Sequence, residues 1–279
     1  MASESLEHLA QRAREGDHEC MERLVAAIQD RIYGLALRML WHPEDARDAT
    51  QEILIRIVTR LGSFRGASTF STWAYRVAAN HLLTARRSRL EEQRYTFQRF
   101  GEDLDAGLSD DAPSADPEVA MLLEEVKIGC TLGMLTCLDR PHRLAYILGE
   151  ILELDGEEGA RVLSIRPVAF RKRLSRARAT IVSFMQAKCG LVSPGRSCRC
   201  RKRLPKALRL GRVVPGELLF ASDAEAARRF PTILEEIRRL EDARRAAALF
   251  RSHPAPVFPG ETADEIRKLL EGLGARSRA

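Results

Sequence analysis

The chain has 279 residues, of which 30% are charged, 45% hydrophobic and only 6% aromatic, with a formal net charge of +6 and a pI near 9.2. That length suits two or three small domains rather than one large core, and the dominance of Leu, Ala, Arg and Glu favours an all-α fold over strands. Met1-Ala-Ser-Glu4 opens no apolar signal stretch, and no run approaches the ~20 apolar residues of a membrane span, so a cytoplasmic protein with reduced thiols and no membrane partner is expected.

From the N-terminus, apolar residues recur at helical spacing: Leu24, Ile28, Ile32, Leu35 and Met39, then Ile53, Ile57 and Leu61. Pro43 suits the first turn of a helix running to Leu61, the stretch from Gly62 to Ser71 reads as a loop, and Thr69 or Ser71 caps a helix at Thr72–Arg89. Residues 1–90 are the first domain. Residues 91–117, rich in Gly, Asp, Ser and Pro, read as a flexible acidic linker. A second helical domain covers 118–188, and an extension follows over 189–279, with one amphipathic helix in Ala224–Ser252 and a shorter one in Glu261–Leu273.

Charge is blocked along the chain. From Arg161 to Gly216 there are sixteen Lys or Arg and no acid, whereas Glu102 to Glu125 holds acids and no base. Such blocking points to an anionic partner more than to a generic solvated surface. Within the basic block, Asp155–Leu163, then Ser164-Ile-Arg166, then Pro167–Arg178 read as a short helix, a tight turn and a basic helix, the arrangement of a DNA-binding helix-turn-helix. Ala160, Val162, Leu163, Ile165, Val168 and Leu174 are its expected small core. Arg166, Arg171, Lys172, Arg173, Arg176 and Arg178 are placed to reach phosphates or guanine edges.

Two features of the first domain exceed packing needs. One is the polar string Asp45-Ala-Arg-Asp48-Ala-Thr-Gln51-Glu52. The other is Phe64-Arg65-Gly66 followed by Phe70, Trp73 and Tyr75, with Arg76, Asn80, Arg86, Arg87 and Arg89 nearby. The aromatics serve either as platforms for unstacked bases beside a phosphate-binding rim or as core residues. No nucleotide-binding Gly loop, nucleophile motif or paired-carboxylate metal motif is present, which argues against an enzyme. Metal ligation by Asp45, Asp48 and Glu52 is less apt than protein docking.

In the tail, Cys189, Cys198 and Cys200 bracket a turn-rich stretch. Cys-x-Cys can chelate one ion with Cys189 folding back as a third ligand. Four thiol or imidazole ligands suit Zn, three thiolates suit Cu(I), and His253, Cys130, Cys137 and His142 are candidates for a fourth. Arg199, Arg201 and Lys202 are expected to favour thiolates, which equally fits a redox switch. Cys20, Cys130 and Cys137 otherwise read as small apolar filler.

Taken in order, the Asp45–Glu52 string, Phe64-Arg-Gly…Phe70-Ser-Thr-Trp-Ala-Tyr-Arg-Val-Ala-Ala-Asn80 and Arg171-Lys-Arg-Leu-Ser-Arg-Ala-Arg178 resemble the extracytoplasmic-function (ECF) sigma factors of bacterial RNA polymerase, over roughly Leu24 to Met185. The resemblance implies two helical domains, regions 2 and 4. It implies that Asp45, Asp48, Gln51 and Glu52 lie on the helix that docks on the coiled coil of the polymerase β′ clamp. Phe64, Arg65, Phe70, Trp73, Tyr75, Asn80, Arg86 and Arg87 would open the downstream (-10) promoter element, and the helix-turn-helix would read the upstream (-35) one. The acidic linker would thread the polymerase's RNA channel. The cysteine pattern also resembles the tails by which some sigma factors of this group sense metals, and an anti-sigma factor is a further partner the resemblance allows. The Arg238–Arg245 face of the tail is expected to dock on the preceding domain in place of such a protein. The sequence departs from the family at Gly159, at Ser164 where the turn usually has Gly, at Leu138–Arg143, and in its long tail. The alternative is a stand-alone helix-turn-helix regulator.

Overall fold

The computed structural model describes residues 4–85, 95–109 and 117–260. Among these, every regular element is helical, and the only extended pairing is an isolated bridge between Cys189 and Cys198. The helices are α1 (Leu6–Arg14), α2 (His18–Leu40), α3 (Pro43–Arg60), α4 (Phe70–Thr84), α5 (Phe97–Asp105), α6 (Pro117–Thr136), α7 (Arg140–Tyr146), α8 (Gly156–Leu163), α9 (Pro167–Lys188), α10 (Cys200–Arg209), α11 (Ala224–Arg239) and α12 (Asp242–Arg251). The described residues form two compact units: 4–85 with Gly156–Pro167 and 255–260, and 95–155 with Val168–Pro254. The first helix of the expected helix-turn-helix therefore belongs to one unit and nearly all of the second to the other.

In the first unit, caps set the helix starts. Asp17 accepts from the Cys20 amide at 3.0 Å and Thr69 from the Thr72 amide at 3.2 Å, so α4 starts two residues before the expected Thr72. Pro43 stands in the first turn of α3, where its missing N–H costs nothing. Leu24, Ile28, Ile32 and Leu35 of α2 and Ile53 and Ile57 of α3 are buried together, each side chain contributing about 1.5–3 kcal/mol. Residues 255–260 return to α2: the Phe258 amide donates to Asp30 Oδ1 at 2.8 Å, the Phe258 ring meets Tyr33 edge-on at 5.7 Å, and Pro256 lies over Gly34.

α8 ends in a Schellman turn. The Ile165 amide donates to the Ala160 carbonyl at 3.1 Å and the Ser164 amide to that of Arg161 at 3.3 Å, with Ser164 at φ +53°. A left-handed residue with a Cβ is strained by about 1–2 kcal/mol. Ser164→Gly should therefore raise stability by about 1 kcal/mol, seen as a higher urea midpoint with unchanged slope. A lower midpoint would show that the Ser side chain outweighs the strain.

In the second unit, the buried Arg143 guanidinium donates to the carbonyls of Leu135 at 3.0 Å, Thr136 at 3.0 Å and Leu138 at 2.9 Å, closing the C-terminus of α6. A π-turn at Ile147–Ile151 follows α7. A Cβ on Gly149 would stand 2.5 Å from Leu174 Cδ2, so the bare glycine admits α9. Glu125 of α6 accepts from the amides of Leu219 (2.9 Å), Phe220 (2.8 Å) and Ala221 (2.8 Å), which folds the chain after α10 back along α6.

Three expectations change. The acidic segment expected as a flexible linker contains α5: Thr96 caps it at 3.3 Å, Phe100 and Leu104 are buried, and Phe97 and Phe100 pack on Phe184 at 5.1 and 5.7 Å. Its apolar period spans only two turns, too short to stand out among Gly, Asp and Ser. The amphipathic stretch at Ala224–Ser252 is two helices, broken at Leu240-Glu241, because Arg245 turns inward. Arg245 donates to the carbonyls of Leu240 (2.9 Å), Arg238 (3.0 Å) and Val192 (3.3 Å), so it fastens the tail to itself. Val168, expected in the core, is 55% exposed. The helix expected at Glu261–Leu273 lies outside the described residues.

Candidate functional site

On α3 the buried face is Ala46, Ala49, Thr50, Ile53, Leu54, Ile57 and Val58. The opposite face carries Asp45, Asp48 and Glu52, all exposed, with Gln51 half-buried at its edge. Helical spacing of three and four residues stacks them. Asp48 lies 3.5 Å from Arg47, and Glu52 lies 3.6 Å from Arg56 and 3.8 Å from His81, distances at which exposed ion pairs contribute little. In line with Asp48 and Glu52 stands Ile55, 42% exposed, which sequence reasoning missed. Its spacing of seven from Asp48 was the available signal. An acidic face with an apolar residue at one end is suited to a protein surface.

The aromatic residues take the other of their two readings. Phe64, Phe70 and Trp73 form a closed triangle with ring centroids 5.5, 5.7 and 5.6 Å apart, and they are buried, as is Tyr75. Assigning all four to direct DNA contact is corrected: no ring face among them is open to a base. Packing wins because Phe70 and Trp73 are one turn apart on the inner side of α4, and Phe64 closes over them from the preceding loop. The triangle instead fixes residues 62–69, on which Arg65 is exposed, and α4, on which Asn80 is exposed. Arg86 and Arg87 lie outside the described residues. α8 packs on α4, with Thr72 Oγ1 donating to Glu158 at 2.8 Å and Arg76 Nε to the Arg161 carbonyl at 3.0 Å. Burial pushes the Tyr75 hydroxyl above its ordinary pKa, against the lowering influence of Arg31 and Arg38.

On α9, Arg171, Lys172 and Arg176 are exposed and Arg173 is half-buried, and Arg166 is exposed in the turn before it. Arg178 is exposed as well, and its Nε donates to Glu150 at 2.8 Å, so it is partly committed within the unit. Val168 stands at the start of this helix, and an exposed apolar side chain there can meet a thymine methyl.

Part of the basic block is internal. Asp103 of α5 receives Arg203 and Lys206, each at 3.1 Å, and Arg212 at 2.6 Å. Burial alone would raise the Asp103 carboxyl, but hydrogen bonds from Arg212 and Lys206 and the nearby Arg203 hold it below its ordinary value. These three cations are thereby withdrawn from the anion-binding surface expected of Arg161–Gly216.

Cys189, Cys198 and Cys200 are all partly buried. Burial pushes Cys198 up to about 11 and raises Cys189 and Cys200. The expectation that neighbouring cations make them thiolates is therefore corrected. Arg199 spends its guanidinium on the carbonyls of Cys198 (3.2 Å), Pro194 (2.5 Å) and Arg196 instead. Among the described residues, no group of three or more His, Cys, Asp or Glu stands close enough together to hold an ion, and no helix is long and apolar enough to cross a membrane.

The family model for Sigma-70 region 2 matches residues 24–91, which include α3, the aromatic triangle and α4. The RNA polymerase sigma-H factor of Pseudomonas aeruginosa is 32% identical over 191 residues, covering 67% of this chain and 96% of that protein. This chain belongs to the ECF sigma factors. The RNA polymerase sigma factor NccH of Alcaligenes xylosoxydans xylosoxydans is 31% identical over 183 residues (65% of this chain, 95% of that protein), and the ECF RNA polymerase sigma-E factor of Escherichia coli K12 is 30% identical over 185 (64% and 93%). As a sigma factor the protein directs transcription initiation with core RNA polymerase on promoter DNA and is not an enzyme. A stand-alone regulator is not favoured. About a third of this sigma factor lies outside each match.

Proposed function

We propose that residues 1–90 of this sigma factor bind the β′ clamp through the outward face of α3 and open the downstream promoter element. Residues 118–188 read the upstream element, residues 91–117 follow the RNA channel, and residues 189–279 regulate the protein. The observation that carries the reading is the α3 face, where Asp45, Asp48 and Glu52 are exposed in one row with Ile55 uncovered at its end. Downstream contacts fall to Arg65, Asn80, Arg86 and Arg87. Phe64, Phe70, Trp73 and Tyr75 support them from beneath. Upstream contacts fall to Arg166, Arg171, Lys172, Arg173 and Arg176, with Arg178 lending charge while held by Glu150. The reading places the protein in the cytoplasm and leaves room for an anti-sigma factor on the same α3 face.

Ile55→Glu tests the clamp contact. Ile55 is an exposed position, so folding should be unchanged within about 0.5 kcal/mol, while affinity for core polymerase should fall at least about tenfold, or 1.4 kcal/mol. Core binding at the original affinity would remove α3 from the interface.

Arg171→Ala or Arg173→Ala should weaken upstream-element binding and reduce the slope of log affinity against log salt by about 1 for each phosphate the variant no longer neutralises. Arg178→Ala should alter it less. An unchanged slope for every Arg of α9 would sink the phosphate assignment.

In the same reading, Cys189, Cys198 and Cys200 make the tail responsive to Zn or Cu. Redox sensing is the other reading of the same thiols, since oxidation and metal ligation both proceed through the thiolate. In vitro transcription with core polymerase, with and without Zn, Cu and reductant, tests activity and tail together. Output indifferent to all three would remove the tail's regulatory role.

A further inference from the structure

α5 is too short to stand as a helix by itself. Its nine residues fall below the roughly 12–15 that an isolated helix needs in water, and its apolar side offers only Phe97 and Phe100 to Phe184 of α9. The rest of its hold comes from the extension. Besides the three cations on the Asp103 carboxylate, the Arg203 guanidinium donates to the backbone carbonyls of Asp103 at 2.7 Å and of Leu104 and Ala106 at 3.3 Å each, groups that the end of a helix leaves unsatisfied. Lys206 donates to the Asp103 carbonyl at 3.3 Å and to that of Ala106, and the Ser109 amide donates in return to the Lys202 carbonyl at 3.0 Å. Gly107, at φ +92°, passes so close to α10 that a Cβ there would stand 2.6 Å from Lys206 Cδ. Residues 103–109 are therefore held by α10 through side chain and backbone alike.

Such a grip is mostly polar, and that makes it exchangeable: carboxylates and cations that hold each other can trade partners with another charged surface. While it lasts, the acidic segment cannot also lie in a polymerase channel. It shortens the tether as well. The chain from Ala85 to Tyr95 reaches at most about 33 Å, against about 106 Å from Ala85 to Pro117 once the segment is let go. The -10 and -35 elements stand about 25 base pairs apart, roughly 85 Å along a duplex at ~3.4 Å per pair. Only the released chain covers that distance by itself.

We propose that α10 is a clasp that keeps the acidic segment folded in the free protein and gives it up when core RNA polymerase binds, with Arg203, Lys206 and Arg212 as its jaws and Asp103 as the group they hold. The inference rests on the reading of residues 91–117 as the segment that follows the RNA channel. Opening the clasp is work that core binding performs. Apparent affinity falls by the fraction of chains that stand open, so a clasp closed in about nine chains of ten weakens core binding about tenfold.

The test is acylation of lysine side chains by an N-hydroxysuccinimide acetate, read at Lys206 by mass spectrometry, on the full-length protein alone and bound to core polymerase. Alone, the Lys206 side chain is 18% exposed and engaged by Asp103 and Ala106. It should react about tenfold more slowly than in the core complex, matching the closed fraction. Asp103→Asn should bring the Lys206 rate of the free protein up to that of the complex. Lys206→Ala combined with Arg212→Ala, which alters only the extension and leaves the α3 face and the acidic segment intact, should bind core polymerase about tenfold more tightly. A Lys206 rate that does not rise on core binding overturns the proposal, and so does original affinity in the double variant. Should the double variant fail to fold, the Lys206 rate of the unaltered protein decides. A photo-crosslinker in place of Gln98, which is exposed, keeps the two claims apart: crosslinks outside the RNA channel would remove the channel reading, while the Lys206 rate reports the clasp.

Discussion

Trp73→Ala should destabilise the first unit by about 3–5 kcal/mol, the range for removing a buried large aromatic, and should abolish core binding and promoter opening together. Trp73 is 9% exposed and meets both Phe64 and Phe70, so its removal opens a void that two rings line. Each kcal/mol lowers the melting temperature of a domain this size by about 4–8 °C. Calorimetry or thermal circular dichroism reads the loss directly. The contrast is Arg65→Ala or Asn80→Ala: both side chains are exposed, so stability should hold within about 0.5 kcal/mol while opening falls and core binding persists. If Trp73→Ala instead keeps its melting temperature and loses opening alone, the indole must leave the triangle to meet DNA.

Arg143→Ala should be nearly as damaging to the second unit, costing about 3–5 kcal/mol. The side chain is 1% exposed and donates to three carbonyls at the end of α6. Deleting it removes the guanidinium donor from all three carbonyls, of which Leu135 keeps the Leu138 amide at 3.1 Å, and each group left unsatisfied costs about 1–3 kcal/mol, less whatever entering water restores. Arg143→Lys should recover little, because one ammonium cannot span three carbonyls that a planar fork reaches at once. The check is chemical unfolding of both variants. Wild-type stability in Arg143→Lys would show that charge at the helix end, not the fork, holds α6.

Helix starts were readable where a single residue dictates them, as at Pro43 and Pro167, and α3 was readable from its two-sided pattern. The helical class followed from composition. Less was readable where the deciding partner is distant in sequence. Asp103 finds Arg203, Lys206 and Arg212 about a hundred residues on, so a block that looks uniformly cationic is partly neutralised in space. The aromatic run looked like a surface because Phe64, Phe70 and Trp73 flank Arg and Gly, and only the closing of the 62–69 loop turns them inward. Arg245 looked like part of a docking face and is a clamp on carbonyls.

The return of residues 255–260 to α2 closes the covalent path of the chain on itself, since the last described residues pack on nearly the first long helix. A single proteolytic cut in the exposed stretch around Gly216 would leave two pieces still gripping each other through Phe258, Asp30 and Tyr33. They would co-elute under native conditions and part only in denaturant. Deleting everything past Lys188, by contrast, strips Phe258 from Tyr33, so a shortened protein would read as a damaged α2 as much as a missing tail.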